Sequence, residues 1–569
     1  MQSLNLPIIS ELISNQQWSQ LKTHLKYAKP AMLLDQLFNA GSDADHILMY
    51  FRWSRKEFKV TYDLEFSSKL LHSLLNAKKY SKIRSFLNNF VKNEKHSVSE
   101  IFHTLSFFGD QSSANAIVID MLLLAYVKNL ELRSAYEAFK RARDYGFKLS
   151  LNSCNPLLSA LVLENEIGNA EYVYKEMIKR RINPNLITFN IVINGLCKVG
   201  KLNKAGDVIE DMKSWGFAPD VITYNTLIHG YCKRGKAGKM YKAEAILKEM
   251  LATKIFPNEI TYNILIDGFC KEDNILGMKL MFEQMQKQGL KPNLVTYNSM
   301  INGLCSSGNL DETIPLRDEM VSLGVKPNIV TYNSLINGLC KKKMIEEARM
   351  FFDEITKQNL IPNVITFNTM VDAYCKNGMM TKAFVLCRSM SDEGIFANVS
   401  TYNCLIAGLC KEGNMEAARK LLNGMEDKGL KADLVTYNIL IDALCREGHS
   451  RKAEILLIEM LKLDITPSHV TYNILMDGYC MEGNLRAALN VRTQMEKQGK
   501  QANVVTYNVM IKGFCKRGKL EDANGLLNEM LEKGLIPNRF TYDIVRVEMM
   551  EKGFIPDIEG HLYNVSGSP

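Results

Sequence analysis

Three kinds of side chain recur in this chain at a spacing that could do chemistry: asparagine, lysine and cysteine. Asparagine follows Thr-Tyr or Thr-Phe at 190, 225, 263, 298, 333, 368, 403, 438, 473 and 508, in steps of 35, then 38, then 35 seven times. A weaker copy of the pattern holds Asn155, and a weaker one again holds Asp120. An amide presents donor and acceptor side by side, as reading the edge of a nucleobase requires. Asparagine is also a poor helix former, so its return at one helical place is a repeated small cost. A second polar column closes each segment, at Asn185, Asp220, Asn258, Asn293, Asn328, Asn363, Asn398, Asp433, Ser468, Asn503 and Asn538. A basic column runs through Lys198, Lys233, Lys271, Lys341, Lys376, Lys411, Arg446 and Lys516, with Ser306 and Met481 as its exceptions. Periodic positive charge beside polar columns suits a threaded polyanionic strand.

Such columns need elements that repeat with the same period. Counting four residues back from each asparagine divides the chain into twelve full units, from 116–150 to 504–538, followed by a truncated one, 539–557. Each unit reads as two helices. The first carries Leu, Ile or Val at helical spacing and ends near a glycine such as Gly200, Gly235, Gly308 or Gly378. The second is plainest from Glu346 to Lys357, where Ala348, Phe351, Phe352 and Ile355 form an apolar stripe. Proline follows at 184, 219, 257, 292, 327, 362, 467 and 537. It disfavours helix in the residue before it, which predicts that the second helix stops there. One helical pair cannot bury its apolar face alone, whereas stacked pairs can, so the spacing predicts an all-α solenoid with a long groove. Residues 1–115 are helix-like but off the pattern and read as degenerate repeats with an amino-terminal cap. Residues 116–538 read as twelve tandem repeats, one with three extra residues around Lys236 to Tyr241, and 539–569 as a truncated repeat with a carboxyl-terminal cap and tail.

The second residue of most units is aliphatic: Ile187, Ile222, Ile260, Val295, Val330, Ile365, Val435, Val470 and Val505. It lies three residues before the asparagine and so shares its helix face. The picture is an apolar wall that presses on a base beside amides that bond its edge. Asn152 and Ser400 interrupt the wall. The same polar residue types also cap helices and brace turns. Two polar columns beside an aliphatic one favour base recognition over bracing.

Other candidate chemistry dissolves into the period. Of thirteen cysteines, ten (197, 232, 270, 305, 340, 375, 410, 445, 480 and 515) take one place per repeat, and no C-x-x-C pair occurs. That pattern is a small packing residue under stacked helices rather than a metal or disulfide framework. Gly230 to Lys236 mimics a phosphate-binding loop, but the Ser or Thr that should follow is Ala237. The nine histidines show no metal-binding spacing. Nothing suggests a catalytic residue, metal or cofactor. A net charge of 70 − 62 = +8 permits a polyanionic partner without demanding one. No apolar run approaches the ~18 residues of a membrane span. The amino terminus shows neither a secretory signal nor a clear transit peptide: Glu11 comes early and no arginine precedes Arg52.

With V-T-Y-N at its head, G-x-C-K in the first helix and K-P-N or K-A-D at its end, the 35-residue unit resembles a pentatricopeptide repeat. The resemblance covers roughly 116–557, and its uniform spacing is similar to the simple class of that family. It implies a right-handed superhelix that binds single-stranded RNA at about one base per repeat. The fifth and last residues together would select the base, the second would sandwich it, and the thirteenth, the basic column, would approach the phosphates. Asn with Asp (Asn190/Asp220, Asn403/Asp433) implies uracil, Asn with Ser (Asn438/Ser468) cytosine, and Asn with Asn either pyrimidine, cytosine first. The implied target is Y-U-Y-Y-Y-Y-Y-U-C-Y-Y, read 5′ to 3′ from the amino end. The resemblance further implies a monomer acting in a mitochondrion, or alternatively a chloroplast, with RNA-processing proteins as further partners and no membrane. Two other classes stand against it. A protein-binding scaffold of the tetratricopeptide kind would show a 34-residue period. A nuclease would need clustered carboxylates outside the repeat pattern.

Overall fold

A computed structural model describes residues 6–25, 29–93, 96–107, 112–233 and 240–554. The described residues form helices and turns, with no strand among them. None of their helices is long and apolar enough to cross a membrane. The chain divides into two compact blocks, 1–292 and 293–569.

In the first block, seven helices lie between Leu6 and Phe107. Helical pairs follow, beginning with Ser112–Lys128 and Leu132–Asp144 and ending with Glu259–Lys271 and Ile275–Lys287. The helix Tyr80–Asn93 packs on Ser112–Lys128 as later first helices pack on one another, although it carries none of the sequence motif. In the second block, seven pairs run from Leu294–Ser307 and Leu310–Ser322 to Val504–Lys516 and Leu520–Glu532. Within each block a first helix packs on its own second helix and on the first helices of its neighbours.

The core repeats with the sequence. The aromatic residue before each asparagine is buried, and several of its hydroxyls reach a glutamate on the second helix: Tyr297 to Glu319 at 3.1 Å, Tyr332 to Glu354 at 2.9 Å, Tyr507 to Glu529 at 3.1 Å. A buried phenol keeps its apolar body in the core while its hydroxyl finds a partner. On the second helix, Met212, Met250, Met390, Met425, Met460 and Met530 are fully buried at one register position. The stripe of Ala348, Phe351, Phe352 and Ile355 is buried within the helix Ile345–Lys357.

The cysteine column interlocks with glycine. A methyl group on Gly478 would lie 2.5 Å from Cys445 Sγ, and one on Gly338 2.7 Å from Cys305 Sγ, too close without displacement. Glycine in one first helix therefore lets the cysteine of the preceding one seat against its backbone.

Proline does not end the second helices. The helix Leu202–Ser214 stops five residues before Pro219, at a left-handed Gly216 (φ 80°), where the Phe217 N–H donates to the Met212 carbonyl at 3.1 Å. Arg181, Lys254, Asn359 and Asp464 make the same turn without glycine. The helix end is set by this carbonyl-capping turn, and proline stands one residue before the next helix's cap. Residues 234–239, with Gly235 and most of the expected insertion, lie outside the described residues. Met240 and Tyr241 already belong to the second helix Met240–Ala252. Residues 555–569 are also outside them.

The turn between first and second helix is left-handed too, at Gly200 (φ 73°) and Gly308 (φ 79°), but at the same place in an early repeat stands Leu130 (φ 62°), 82% exposed. A left-handed non-glycine residue costs about 1–2 kcal/mol, offset in part by the ~0.5–1 kcal/mol of unfolded-state entropy that glycine adds. Leu130→Gly is therefore expected to raise stability to chemical denaturation by about 0.5–1 kcal/mol. A fall in the denaturation midpoint would show that the exposed leucine makes a contact the turn relies on.

Candidate nucleic-acid interface

The first helices begin with a shared device. The last residue of the preceding repeat sits at the helix N-cap in an extended conformation. Its side chain accepts the N–H of a threonine three residues on, and that threonine's hydroxyl accepts the cap's own N–H. Such capping boxes join Asn185/Thr188, Asp220/Thr223, Asn258/Thr261, Asn293/Thr296, Asn328/Thr331, Asn363/Thr366, Asn398/Thr401, Asp433/Thr436, Ser468/Thr471, Asn503/Thr506 and Asn538/Thr541. A helix start leaves N–H groups without intrahelical partners, and this arrangement satisfies two of them.

The fifth-position asparagine of the earlier repeat joins the same cluster. Asn333 accepts from the Thr366 hydroxyl at 2.7 Å and donates through Nδ2 to Asn363 Oδ1 at 3.5 Å. Asn368 accepts from Thr401 at 2.6 Å and donates to Asn398 at 3.2 Å, and Asn403 accepts from Thr436 at 2.7 Å and donates to Asp433 at 3.2 Å. Asn155, Asn190 and Asn225 do the same in the first block with Asn185/Thr188, Asp220/Thr223 and Asn258/Thr261, as does Asn298 in the second with Asn328/Thr331. Asp120, in the weakest copy, accepts from both the Ser150 N–H and the Ser153 hydroxyl. The two polar columns thus cap and brace the helices as well as lining one face. Sequence reading missed the threonines. Their signal was present, a threonine two places before each asparagine from 190 to 508, but threonine beside an aromatic residue reads as filler.

The cluster fixes which atoms remain. Oδ1 of the last residue must meet a backbone N–H, so the amide orientation of Asn is settled, and its NH2 is turned from the threonine N–H. Asp offers a carboxylate oxygen in that place, and Ser offers neither. Burial pushes the Asp433 carboxyl up, but the hydrogen bonds from Thr436 and Asn403 outweigh it and hold the group below its ordinary value. It is therefore ionised at neutral pH. Asn263 and Asn293 take the fifth and last positions in their own blocks. The hydroxyls of Thr471, Thr506 and Thr541 stay with their own caps, and the buried Oδ1 atoms of Asn438, Asn473 and Asn508, one repeat before each, have no partner. Asn508 keeps only its donation to Asn538.

The aliphatic column lies on the outside of the same helix turns. Ile187, Ile222 and Ile260 in the first block, and Val295, Val330, Ile365, Val435, Val470 and Val505 in the second, are each 51–64% exposed. The basic column is exposed at the carboxyl ends of the first helices. Its members differ in company. Lys271, Lys376 and Arg446 pair with Asp267, Asp372 and Asp442 four residues before, the last two at 2.7 and 2.8 Å. Lys198, Lys233, Lys341, Lys411 and Lys516 have Asn194, His229, Asn337, Ala407 and Lys512 there instead. In the second block a recess of about 440 Å³ runs past three successive helix ends, with Asp372, Lys376, Lys411, Asp442 and Arg446 in its walls. Among the described residues no group of three His, Cys, Asp or Glu side chains could hold a metal ion. Burial pushes the thiols of Cys197, Cys232 and Cys480 up to about 12, so they are neither thiolate ligands nor nucleophiles at neutral pH.

A tandem array of helical hairpins, most presenting an aliphatic, a polar and a basic position on the first helix and a second polar residue at the cap of the next, defines a repeat protein with a periodic face. The chain belongs to the PPR repeat family, whose profile matches eleven overlapping segments that together span 150–545. A mitochondrial pentatricopeptide repeat-containing protein of Arabidopsis thaliana is 31% identical over 142 residues, 25% of this chain and 27% of that protein. Another from the same plant is 30% identical over 166 residues, 28% of this chain and 22% of that protein. The aligned stretch thus spans about a quarter of the length of these relatives. Among solved structures, the pentatricopeptide repeat protein PPR10 from maize is 19% identical, with 96% of this chain and 94% of that chain covered and a TM-score of 0.42. The same protein in complex with an 18-nt psaJ RNA element gives a TM-score of 0.38.

Thr366→Val removes a hydroxyl that both closes the Asn363 cap and donates to Asn333. It is expected to cost about 1–2 kcal/mol in urea unfolding. Thr506→Val, whose hydroxyl holds only its own cap, is expected to cost less. Equal losses would mean that the link between repeats contributes nothing.

Proposed function

We propose that the chain binds single-stranded RNA in a sequence-selective way, with one base per repeat. The observation that carries this reading is the join between the columns: an amide or carboxylate, oriented by the cap, lies two residues before an aliphatic side chain left more than half exposed in repeat after repeat. A base lies against Ile or Val, and its edge meets the last residue's free atom. Where that atom is a carboxylate oxygen, at Asp220 and Asp433, it accepts from a donor such as uracil N3–H. Where it is an amide NH2, it donates to an acceptor such as cytosine N3. The fifth-position asparagines fix the geometry and offer their remaining N–H. This chemistry suits the uracils and the Asn-read pyrimidines of the target Y-U-Y-Y-Y-Y-Y-U-C-Y-Y, and the cytosine at Asn438/Ser468 follows the family resemblance. The basic column meets the phosphates. Two amide columns are not what a hydrophobic peptide groove needs.

Several relatives carry "mitochondrial" in their names, which supports an organellar site of action, with the mitochondrion before the chloroplast. The chain is read as a non-enzymatic monomer that occupies a transcript segment, shielding it or presenting it to RNA-processing proteins.

The reading is tested by fluorescence anisotropy with an eleven-nucleotide RNA of the proposed sequence and a purine-substituted version. Pyrimidine-selective binding is expected. Asp433→Asn should move the preference at its own base from uracil to cytosine by roughly tenfold and leave the other positions alone, since one edge contact is worth about 1–3 kcal/mol. Equal affinity for both strands would sink the base code, and no binding to either would favour a protein-binding scaffold.

Salt dependence tests the basic column separately. Log affinity should fall with log salt by about 0.7 per neutralised phosphate of a single strand. Three of the eight cations already sit beside a carboxylate that cancels their charge. The triple variant Asp267→Asn, Asp372→Asn, Asp442→Asn should therefore bind more tightly and steepen the slope by up to ~2. An unchanged slope would place those cations away from the RNA.

A further inference from the structure

Two helices ahead of the repeats continue the layer of first helices without its motif. Tyr80–Asn93 packs on Ser112–Lys128, the first helix of the weakest repeat. Ala44–Phe58 lies against Tyr80–Asn93 in turn, with the Phe51 and Phe86 rings 5.7 Å apart. Neither helix contains the Thr-Tyr-Asn signature. Between their carboxyl-terminal halves lies a recess of about 510 Å³.

One wall of the recess is cationic. Arg52, Arg55 and Lys56 stand three and four residues apart on Ala44–Phe58, so they share one helix face. Opposite them, Asn89 and Asn93 stand four apart on Tyr80–Asn93 and are exposed. The floor is made by the buried rings of Phe86 and Phe90, and the Arg55 guanidinium lies 5.9 Å from the Phe51 ring centroid. Cations in the last turn of a helix complement its dipole, which accounts for Arg55 and Lys56 but not for Arg52 or for the amides opposite. Among the described residues no Asp or Glu lines the recess. The carboxylates of the same helix are engaged elsewhere: Asp45 takes Lys79 at 3.0 Å and Lys82 at 2.7 Å, and Glu57 takes Lys22. The recess in the second block differs on this point, because Asp372, Asp442 and Glu447 line it together with its cations.

We propose that this recess is a phosphate site for the 5′ flank of the RNA, outside the segment that the repeats read: Arg52, Arg55 and Lys56 bind phosphate oxygens, and the Asn89 and Asn93 amides donate to the same group. This inference rests on the RNA reading above, including its 5′ to 3′ direction. Three cations facing two amides, with no carboxylate among them, suit an oxyanion. A guanidinium meets phosphate through a planar pair of N–H groups, which a lysine ammonium cannot present. The rings of the floor are buried in the packing of the two helices, so no base stacks on them and the site reads no sequence. Ser112–Lys128 and Tyr80–Asn93 separate the recess from the repeat of Asn155. At one nucleotide per step of the stack, the phosphates concerned lie about two to four nucleotides upstream of the first base read. An internal phosphodiester and a terminal 5′-phosphate offer the same oxygens to such a site.

The test is an anisotropy titration of the full chain at about 50 and 200 mM salt. The strands are the eleven-nucleotide target, the target with a tail of about five adenosines at its 5′ end, and the target with the same tail at its 3′ end. The double variant Arg52→Gln, Lys56→Gln removes two exposed cations and leaves Arg55 beside its ring. Wild type is expected to favour the 5′-tailed strand over the bare target. The share of that advantage owed to the two cations should shrink about sevenfold between the two salts, at ~0.7 per neutralised phosphate in the log–log slope. The variant should lose that share and bind the bare target and the 3′-tailed strand as wild type does. Tails of increasing length, each ending in a 5′-hydroxyl or a 5′-phosphate, identify the source. A gain that follows length whatever the end group assigns the site to the backbone, and a gain with the 5′-phosphate at one length assigns it to the terminus. A gain confined to the 3′-tailed strand and lost in the variant keeps the site and reverses the strand. If wild type gains nothing from either tail, or the variant keeps the whole gain, the proposal is overturned and the RNA reading stands. Equal weakening of the variant on all three strands overturns it as well, because a structural loss would act so. If wild type binds none of them, both readings fall together.

Discussion

An α-helix cannot satisfy its own first N–H groups, and for the first helices from Leu186–Val199 to Arg539–Ile544 the remedy comes from the last residue of the preceding repeat. The residue that closes one repeat is the N-cap of the next, and the threonine of the next returns a bond to that cap. The asparagine then ties the earlier first helix to the same cluster. A single hairpin has neither a partner for its apolar face nor a start for its helix. Its stability belongs to the junction, as a nearest-neighbour term, more than to the hairpin itself. The recognition face inherits its order from this. The atoms offered to a ligand are those left over when the junction has taken its share.

Packing fixes the distance between junctions. Glycine in one first helix accepts the cysteine of the previous one against its backbone, and larger residues would force the helices apart. Alanine takes that place at Ala373 and Ala443, the largest step the column makes. Tyrosine spans from first to second helix and ends on a glutamate. The buried aromatic recurs in each of these repeats, although Tyr262 and Tyr472 lack the glutamate partner, and the aliphatic positions keep nearly equal exposure. A regular ligand such as a nucleic-acid strand is matched by a regular scaffold only if such contacts hold the spacing.

Much of this was legible in the sequence because function and packing share one period. Helical pairs, the cysteine column as packing and the placing of the polar, aliphatic and basic columns on one helix could all be read from the 35-residue step. What escaped had no distinctive residue type or no motif. The threonines were overlooked because a β-branched residue among valines carries no visible polarity until its partner is placed beside it. Proline was expected to end the second helices, whereas the helix Leu202–Ser214 stops five residues before Pro219 and its left-handed turn residue lies three before. It is made by Gly216 in one repeat and by Arg181, Lys254 or Asp464 in others, so no single residue marks it. The helix Tyr80–Asn93 joins the stack with Ile83, Phe86, Leu87 and Phe90 buried and none of the repeat's signature. Packing asks only for an apolar face, while the signature serves the caps and the outward-facing columns. The unpartnered amide oxygens of the last three full repeats depend on small shifts between helices, which residue identity does not encode.

The borrowed cap also bears on how such a chain can change over generations. Because each junction is built from the tail of one repeat and the head of the next, and nearly all junctions are alike, gaining or losing 35 codons anywhere in the array rejoins a tail to a head. Unequal recombination between neighbouring copies then yields a folded product without compensating mutations. Each such event lengthens or shortens the proposed recognition face by one step, while every step away from the join keeps its own pair of polar residues. The gene can thus alter how much it recognises independently of what each part recognises.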